Sequence, residues 1–260
     1  MSIVKKPTQI RLEALVDWCD QRVNRRAVPD FPGAHNGLQC ANRGEVCKIG
    51  AAVDAGQVTF EKAVAAGVDF LIVHHGMFWT PPIPLNGVHY AKVAYLIENN
   101  CAVYASHLPL DCHPEIGNNV LIARKLGLEP AGVFCPYQGV DIGILTSSPQ
   151  NRAALVDTLS THFSSTLTAI EYGSAQPERV AILSGSGADV VPDLLMAAGV
   201  DTLITGELRQ RHYTQAQEYR FNLYACGHYA TEVFGVQALA AEAARHFKLP
   251  WEFIPTDCPL

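Results

Sequence analysis

Two adjacent histidines, His74 and His75, close an apolar, β-branched run that reads AAGVDFLIVHHG from Ala65 to Gly76. Histidine is the commonest metal ligand and titrates near neutral pH, and a strand built for burial has no packing use for two imidazoles at its end. Farther along, His107 precedes Asp111 by four residues in HLPLD, and His228 precedes Glu232 by four in HYATE. Positions i and i+4 share a face of a helix, so His228 and Glu232 can grip one ion together. HLPLD contains Pro109 and is expected to form a turn.

Along a continuing strand the rings of His74 and His75 would point to opposite faces. If the strand ends there, a turn at Gly76 lets both face one crevice, each holding a different ion. A mixed imidazole and carboxylate set without thiolates suits Zn, Mn, Fe, Co or Ni better than Ca or Mg, and differs from a structural zinc site. Two such ions roughly 3.5–4 Å apart lower the pKa of a water and clamp a polar substrate. Hydrolysis is the reaction class this predicts. A lone histidine at a strand end is more often simply hydrogen-bonded, so the weight rests on these phrases occurring together.

The elements that must carry them follow from hydrophobic periodicity. Leu12, Leu15, Val16, Cys19 and Val23 share one face of a first helix over residues 11–23. After the loop VPDFPGAHNGLQC come a strand near residues 48–53, a helix near 58–66, the strand VDFLIV, a helix near 90–99 and the strand CAVYAS. Strands alternating with ten-residue helices predict parallel βαβ units.

The second half repeats the pattern with VAILSG, a helix near 190–198, VDTLIT, a helix near 212–219 and NLYAC. AAGVD recurs at an offset of 132 residues, which puts Gly206 and Glu207 where His74 and His75 stand. HYAKV and HYTQA correspond as well, as do YASH and YACGH with a small length change. The expectation is an internal duplication: two similar α/β lobes, residues 1–129 and 130–260, each with a largely parallel sheet and flanking helices. Each of the His107 and His228 phrases leaves the carboxyl end of a strand, where open α/β sheets bind ligands. Residues 130–178, with GVDIGIL and TLTAIEY flanking a helix near 153–163, extend the second lobe. SGSG at residues 184–187 is a weak signal for an anion cradle.

Composition narrows the class. Of 260 residues, 48% are hydrophobic and 17% charged, which excludes a disordered chain. A net charge of −6 argues against nucleic acid, whose phosphates need clustered Lys and Arg. The eight cysteines are scattered without a CxxC pair, as expected of free thiols in a reducing cytosol. Lys5, Lys6, Arg11 and Glu13 interrupt the stretch a signal peptide would need, and no apolar run reaches about 18 residues, so a cytoplasmic protein with no membrane partner is expected.

IVHHGMFW, SHLPLD followed by GNN, TGELRQRH and GHYATE occur in the order found in the GTP cyclohydrolase I type 2 homologues, the Nif-three-like proteins, and the chain resembles their short bacterial YbgI-like type over nearly its whole length. The resemblance implies that His74, His75, Asp111, His228 and Glu232 are ligands of a dinuclear metal centre, with His107 in the same site. It implies that Glu207 and His212 line the cavity, that the metal site lies between the two α/β lobes, and that the chains assemble into a homohexameric ring. Ala34-His35-Asn36-Gly37 departs from the family's usual Asp-Asn before Gly-Leu-Gln. The expected activity is a dinuclear metal-dependent hydrolase acting on a nucleotide or related heterocycle, with two divalent ions per chain and Glu207 or His212 shuttling protons. A non-catalytic protein for metal delivery, storage or regulation remains the alternative. The apolar loop MFWTPPIPL, residues 77–85, is a candidate oligomer interface and equally a candidate cap on the cavity.

Overall fold

A computed structural model describes residues 9–79, 83–148 and 150–260. The chain divides into two compact units, Met1–Leu110 with Val236–Thr256, and Asp111–Gly235 with Asp257–Leu260.

The first unit opens with β1 (Ile10–Arg11), α1 (Leu12–Arg22), β2 (Gly37–Cys40), β3 (Glu45–Val46) and β4 (Ile49–Asp54). It continues with α2 (Gln57–Ala65), β5 (Phe70–His75), α3 (Gly87–Glu98) and β6 (Ala102–Ala105), and reaches α4 (Leu108–Asp111) at the boundary. Strands β4, β5 and β6 run parallel, and β2 closes one edge antiparallel to β6. Phe70, Leu71, Ile72 and Val73 are all fully buried, as expected of a parallel strand covered on both faces. Leu12, Leu15 and Cys19 of α1 are buried on the face that periodicity selects.

The second unit holds α5 (Asn118–Lys125), β7 (Glu129–Tyr137), β8 (Val140–Ser147), α6 (Arg152–Phe163), β9 (Thr168–Glu171) and β10 (Arg179–Leu183). Then come α7 (Asp193–Ala197), β11 (Thr202–Thr205), α8 (Gln210–Tyr219), β12 (Asn222–Ala225) and the start of α9 (His228–Phe247); β13 (Trp251–Phe253) follows. Its sheet is mixed: β10, β11 and β12 are parallel, while β8 and β9 flank them antiparallel and β7 pairs outside β8. Leu155, Leu159 and Phe163, one helical face of α6, pack in a core with Ile182, Ile204 and Tyr224.

The duplication is visible in topology as well as in words. Each unit carries three parallel strands whose last member pairs with an antiparallel edge strand that precedes the three in sequence: β2 in one, β9 in the other. The repeated tyrosines behave alike. Tyr104 donates to Asp20 (2.8 Å) and Tyr224 to Glu171 (3.0 Å), and burial pushes both phenols up in pKa.

The units are not cut at residue 129, where the sequence places the lobe boundary. Helix α5 packs on β7, β8 and β10, so residues from Asp111 belong with the second sheet. The last part of α9 returns to the first unit, where β13 adds in parallel to the outer edge of β4. Three further elements differ from expectation. HLPLD forms the short helix α4 rather than a turn, because a proline in a first helical turn gives up no internal hydrogen bond. Both His74 and His75 lie within β5 rather than after it. The helix expected over 190–198 is a 3-10 turn, Gly187–Val190, followed by α7, with Pro192 at the junction.

Candidate metal centre

Three imidazoles converge in the first unit. His74 and His75 are the last residues of β5, and His107 follows β6, so all three leave the carboxyl ends of neighbouring parallel strands. Ring centroids are 4.8 Å apart for His74 and His75, 4.9 Å for His74 and His107, and 5.6 Å for His75 and His107. One nitrogen of each lies within 4.8 Å of the others.

Each ring is held through Nδ1. His74 Nδ1 faces the Ser106 carbonyl at 3.0 Å, His75 Nδ1 faces Asp54 Oδ1 at 2.8 Å, and His107 Nδ1 faces Asp30 Oδ1 at 2.8 Å. Carbonyl and carboxylate oxygens only accept, so the neutral ring bears its proton on Nδ1 and Nε2 carries the lone pair. Imidazoles that bind metals are oriented this way, by an acceptor behind the ligand.

The two carboxylates have different settings. Asp54 ends β4 directly opposite His75 in the parallel register and is half-exposed. The Asp30 side chain, 5% exposed, lies in the loop before β2 and receives Phe31 N (2.7 Å), Asn36 Nδ2 (2.7 Å) and Leu108 N (3.0 Å) as well as His107. Burial alone would raise its pKa; the bonds from His107, Asn36 and Phe31 outweigh that and hold it below the usual carboxylate range. Asn36 Oδ1 also accepts from His107 N at 2.7 Å, and Trp79 stands edge-on to the His107 ring at 5.3 Å. Gly76 is where Gln39 crosses the strand end; a Cβ there would overlap the Gln39 amide, which accepts from Met77 N.

The second unit gathers carboxylates around one imidazole. His228 begins α9 and Glu232 lies one turn later, Nε2 to Oε1 3.2 Å, so the helical pairing expected of HYATE is formed. Glu207 follows β11, with its Oε2 3.6 Å from His228 Nδ1, and Ser186 Oγ donates to its other oxygen. The hydrogen bond to Glu232 raises the His228 pKa against burial, and Glu207 adds to the effect. Asp111 is buried and accepts from Asn118 Nδ2 (2.7 Å) and Ser184 Oγ (3.1 Å). The GNN phrase after it supplies those supports, since Asn119 Oδ1 also accepts from Ser184 N.

SGSG does not open as an anion cradle. Its Gly185 carbonyl accepts from Gly206 N and Glu207 N, its Gly185 N donates to Thr231, and its serine donates to a carboxylate. Gly185 has φ +60°, and a Cβ would overlap Glu232 Oε1 and sit 3.1 Å from His228 Nε2. The loop is shaped to let two candidate ligands lie against bare backbone.

His212 stands apart from both groups. It is buried at the start of α8, where its Nδ1 accepts from Arg209 N at 2.9 Å, and burial, aided by Arg211, lowers its pKa. Its contacts are those of a helix cap. Asp30 and Asp54 were not picked out from sequence, and Asn118, Ser184 and Ser186 were marked only as parts of the GNN and SGSG phrases. Asp54 had a signal, as a polar residue at the carboxyl end of an apolar strand one repeat ahead of Ser186; Asp30 sits in a proline-rich loop with no period to mark it.

The donors fit a divalent transition metal: imidazoles whose Nδ1 atoms face acceptors, which leaves Nε2 as the ligand atom of the neutral ring, buried carboxylates, and no thiolate. All eight cysteines are free, and none belongs to these groups.

The family model for Duf34/NIF3 (NGG1p interacting factor 3) matches residues 11–259. The chain belongs to the Duf34/NIF3 family. A relative from Deinococcus radiodurans, named GTP cyclohydrolase 1 type 2 homolog, is 38% identical over 95% of this chain and 93% of its own. Among solved NIF3-like structures, TTHA1606 from Thermus thermophilus superposes with a TM-score of 0.84 at 36% identity, covering 96% of this chain and 100% of that one. The protein ybgI superposes with a TM-score of 0.88 at 30% identity over the same shares. The short YbgI-like type expected from the motifs is thus matched in sequence and fold. Among the described residues no helix of this NIF3 chain is long and apolar enough to cross a membrane.

Proposed function

We propose that this NIF3-family chain is a dinuclear metal-dependent hydrolase acting on a nucleotide or related heterocycle. The observation that carries the reading is the trio His74, His75 and His107, each held at Nδ1 by an acceptor. In the proposal His74, His75, His107, Asp111, His228 and Glu232 are the ligands of two divalent ions, Zn, Fe, Mn, Ni or Co. Bound there, such ions supply Lewis acidity that lowers the pKa of water and polarises the bond to be cleaved.

The chain's own residues do the rest. Asp54, Asp30 and the Ser106 carbonyl keep the rings oriented. Glu207 is the proton carrier: it is part-exposed and stands beside His228, with the Ser186 hydroxyl fixing one oxygen. His212, closed into the α8 cap, is the less suitable of the two for that task. The substrate class draws on the relatives' name, GTP cyclohydrolase 1 type 2 homolog, and the reading includes a homohexamer in the cytoplasm.

The test is turnover by metal-loaded protein across a panel of nucleotides, related heterocycles and phosphoesters, with His75→Ala alongside. Turnover lost in the variant supports the hydrolase. No turnover from protein that carries two ions per chain, together with reversible transfer of those ions to a chelator or partner, supports a metal delivery or storage protein instead.

A further inference from the structure

We infer that Asp30 and Asp54 are positioning residues for the metal centre: each carboxylate fixes one histidine, His107 or His75, in the Nδ1–H tautomer and so selects Nε2 as the atom offered to an ion. The assignment rests on reading these histidines as ligands and goes a step further, to the residues that make them ligands. A neutral imidazole in water exchanges its proton between two nitrogens, and only one form presents the right lone pair. An acceptor behind the ring removes that choice before any ion arrives, and orients the ring plane as well.

The two positions differ in what would follow their loss. Asp30 receives donors on both oxygens: His107 Nδ1 and Phe31 N on Oδ1, Asn36 Nδ2 and Leu108 N on Oδ2. An asparagine there must point its NH2 at two donors whichever way it is turned. When the NH2 faces His107, the ring escapes the clash by moving its proton to Nε2, the nitrogen needed for the metal. Asp54 bonds His75 through Oδ1 from a half-exposed strand end, so Asp54→Asn can turn its carbonyl to the ring and retain part of the effect. The structure therefore predicts a graded response: His107 depends on Asp30 more than His75 depends on Asp54.

The carboxylates are not spare surface charges that happen to lie near rings. The Asp30 carboxylate is shielded from solvent, and the fold brings it beside His107 from 77 residues away. Asp54 sits opposite His75 because strand register puts it there. The His74 ring has a backbone carbonyl in the same role, so the two aspartates are the part of this arrangement that substitution can reach.

The experiment uses the full chain, 15N-labelled and stripped of metal, with wild type, Asp30→Asn and Asp54→Asn compared. Long-range proton–nitrogen spectra read the tautomer of each ring, and equilibrium titration with Zn2+ and with Mn2+ reads affinity. The expected result is Nδ1–H rings at His75 and His107 in wild type, a His107 signal moved toward the Nε2–H form in Asp30→Asn, and affinity lower by about 10–100-fold in that variant with a smaller loss in Asp54→Asn. Wild-type tautomers and wild-type affinity in both variants would overturn the assignment while leaving the metal reading intact. Wild-type protein that takes up neither ion would overturn the metal reading itself. If Asp30→Asn fails to fold, as judged by circular dichroism, the half-exposed Asp54→Asn decides: unchanged tautomer and affinity there count against the inference.

Discussion

Asp54 and His75 face each other across β4 and β5, joined by a 2.8 Å hydrogen bond, and Ser186 and Glu207 repeat the pair at the same offset of 132 residues. In the first pair the strand-end acceptor Asp54 holds a ring that donates; in the second Ser186, in the loop after β10, donates to a carboxylate. Both partners differ between the repeats, so the corresponding contact is made with its polarity reversed. Ser186→Ala is therefore expected to leave the fold intact but loosen Glu207, lowering turnover by metal-loaded protein without changing the number of ions bound. Metal content and kcat measured on one preparation separate the two effects.

Gly185→Ala tests how closely the second unit is fitted around Glu232. A left-handed conformation costs an alanine about 1–2 kcal/mol, and the added methyl would displace a carboxylate that now touches backbone. The expected outcome is a lower urea midpoint together with weaker metal binding. A variant that loses stability but binds ions as wild type does would show that Glu232 has room to move.

Removing the ions should destabilise the protein, because a ligand that binds only the native state adds stability of about 2.7 kcal/mol at a hundred times its dissociation constant. For a chain of this size that corresponds to a rise in Tm of roughly 5–10 °C. Chelator is expected to reverse it, and His107→Ala to diminish it. Calorimetry with and without Zn2+ checks both.

Acid sensitivity is predicted at His212. Burial holds its native pKa below the unfolded value of about 6.5, so the unfolded chain takes up protons first as pH falls. Its contribution favours the fold above that pH and is lost as pH drops toward the depressed native value. Glutamine at the third helical position can also reach back to the cap N–H. His212→Gln is expected to match wild type near pH 7.5 and to lose less stability by pH 5, measured as Tm against pH.

The oligomer is tested at Trp79, which donates to the Gly76 carbonyl at 3.1 Å and stands against His107. The loop that contains it, residues 77–85, includes residues 80–82, which lie outside the described residues. If the loop is the interface, light scattering on Trp79→Ala should fall below six times the chain mass. A variant that remains fully hexameric assigns the interface elsewhere.

What could be read from the sequence was whatever repeats or has a period. VDFLIV and VDTLIT are uniform apolar runs because parallel strands are buried on both faces, and HYATE declares its pairing because helical geometry is fixed by spacing. His74 and His75 were recognisable by type, but their close approach inside β5 was not, since strand alternation alone would send them apart. Asp30 was illegible for another reason: its partner is distant in sequence, and nothing in a proline-rich loop says which carboxylate will be buried. The lobe boundary at residue 129 failed to anticipate where α5 and β13 pack, because a duplicated word shows where copies begin and not which sheet a terminal strand will join.

The reversal at Asp54 and Ser186 also has an electrical side. As metal ligands His74, His75 and His107 would bring no negative charge to an ion they hold, whereas Asp111 and Glu232 would cancel the charge of a divalent ion outright. Asp30 and Asp54 place two negative charges behind the rings, where they draw on the imidazole protons without touching the ion. An ion gripped by the first set would thus keep its pull on a substrate's electrons, and the countercharge needed to hold it in a dry setting would stand one ring's width away.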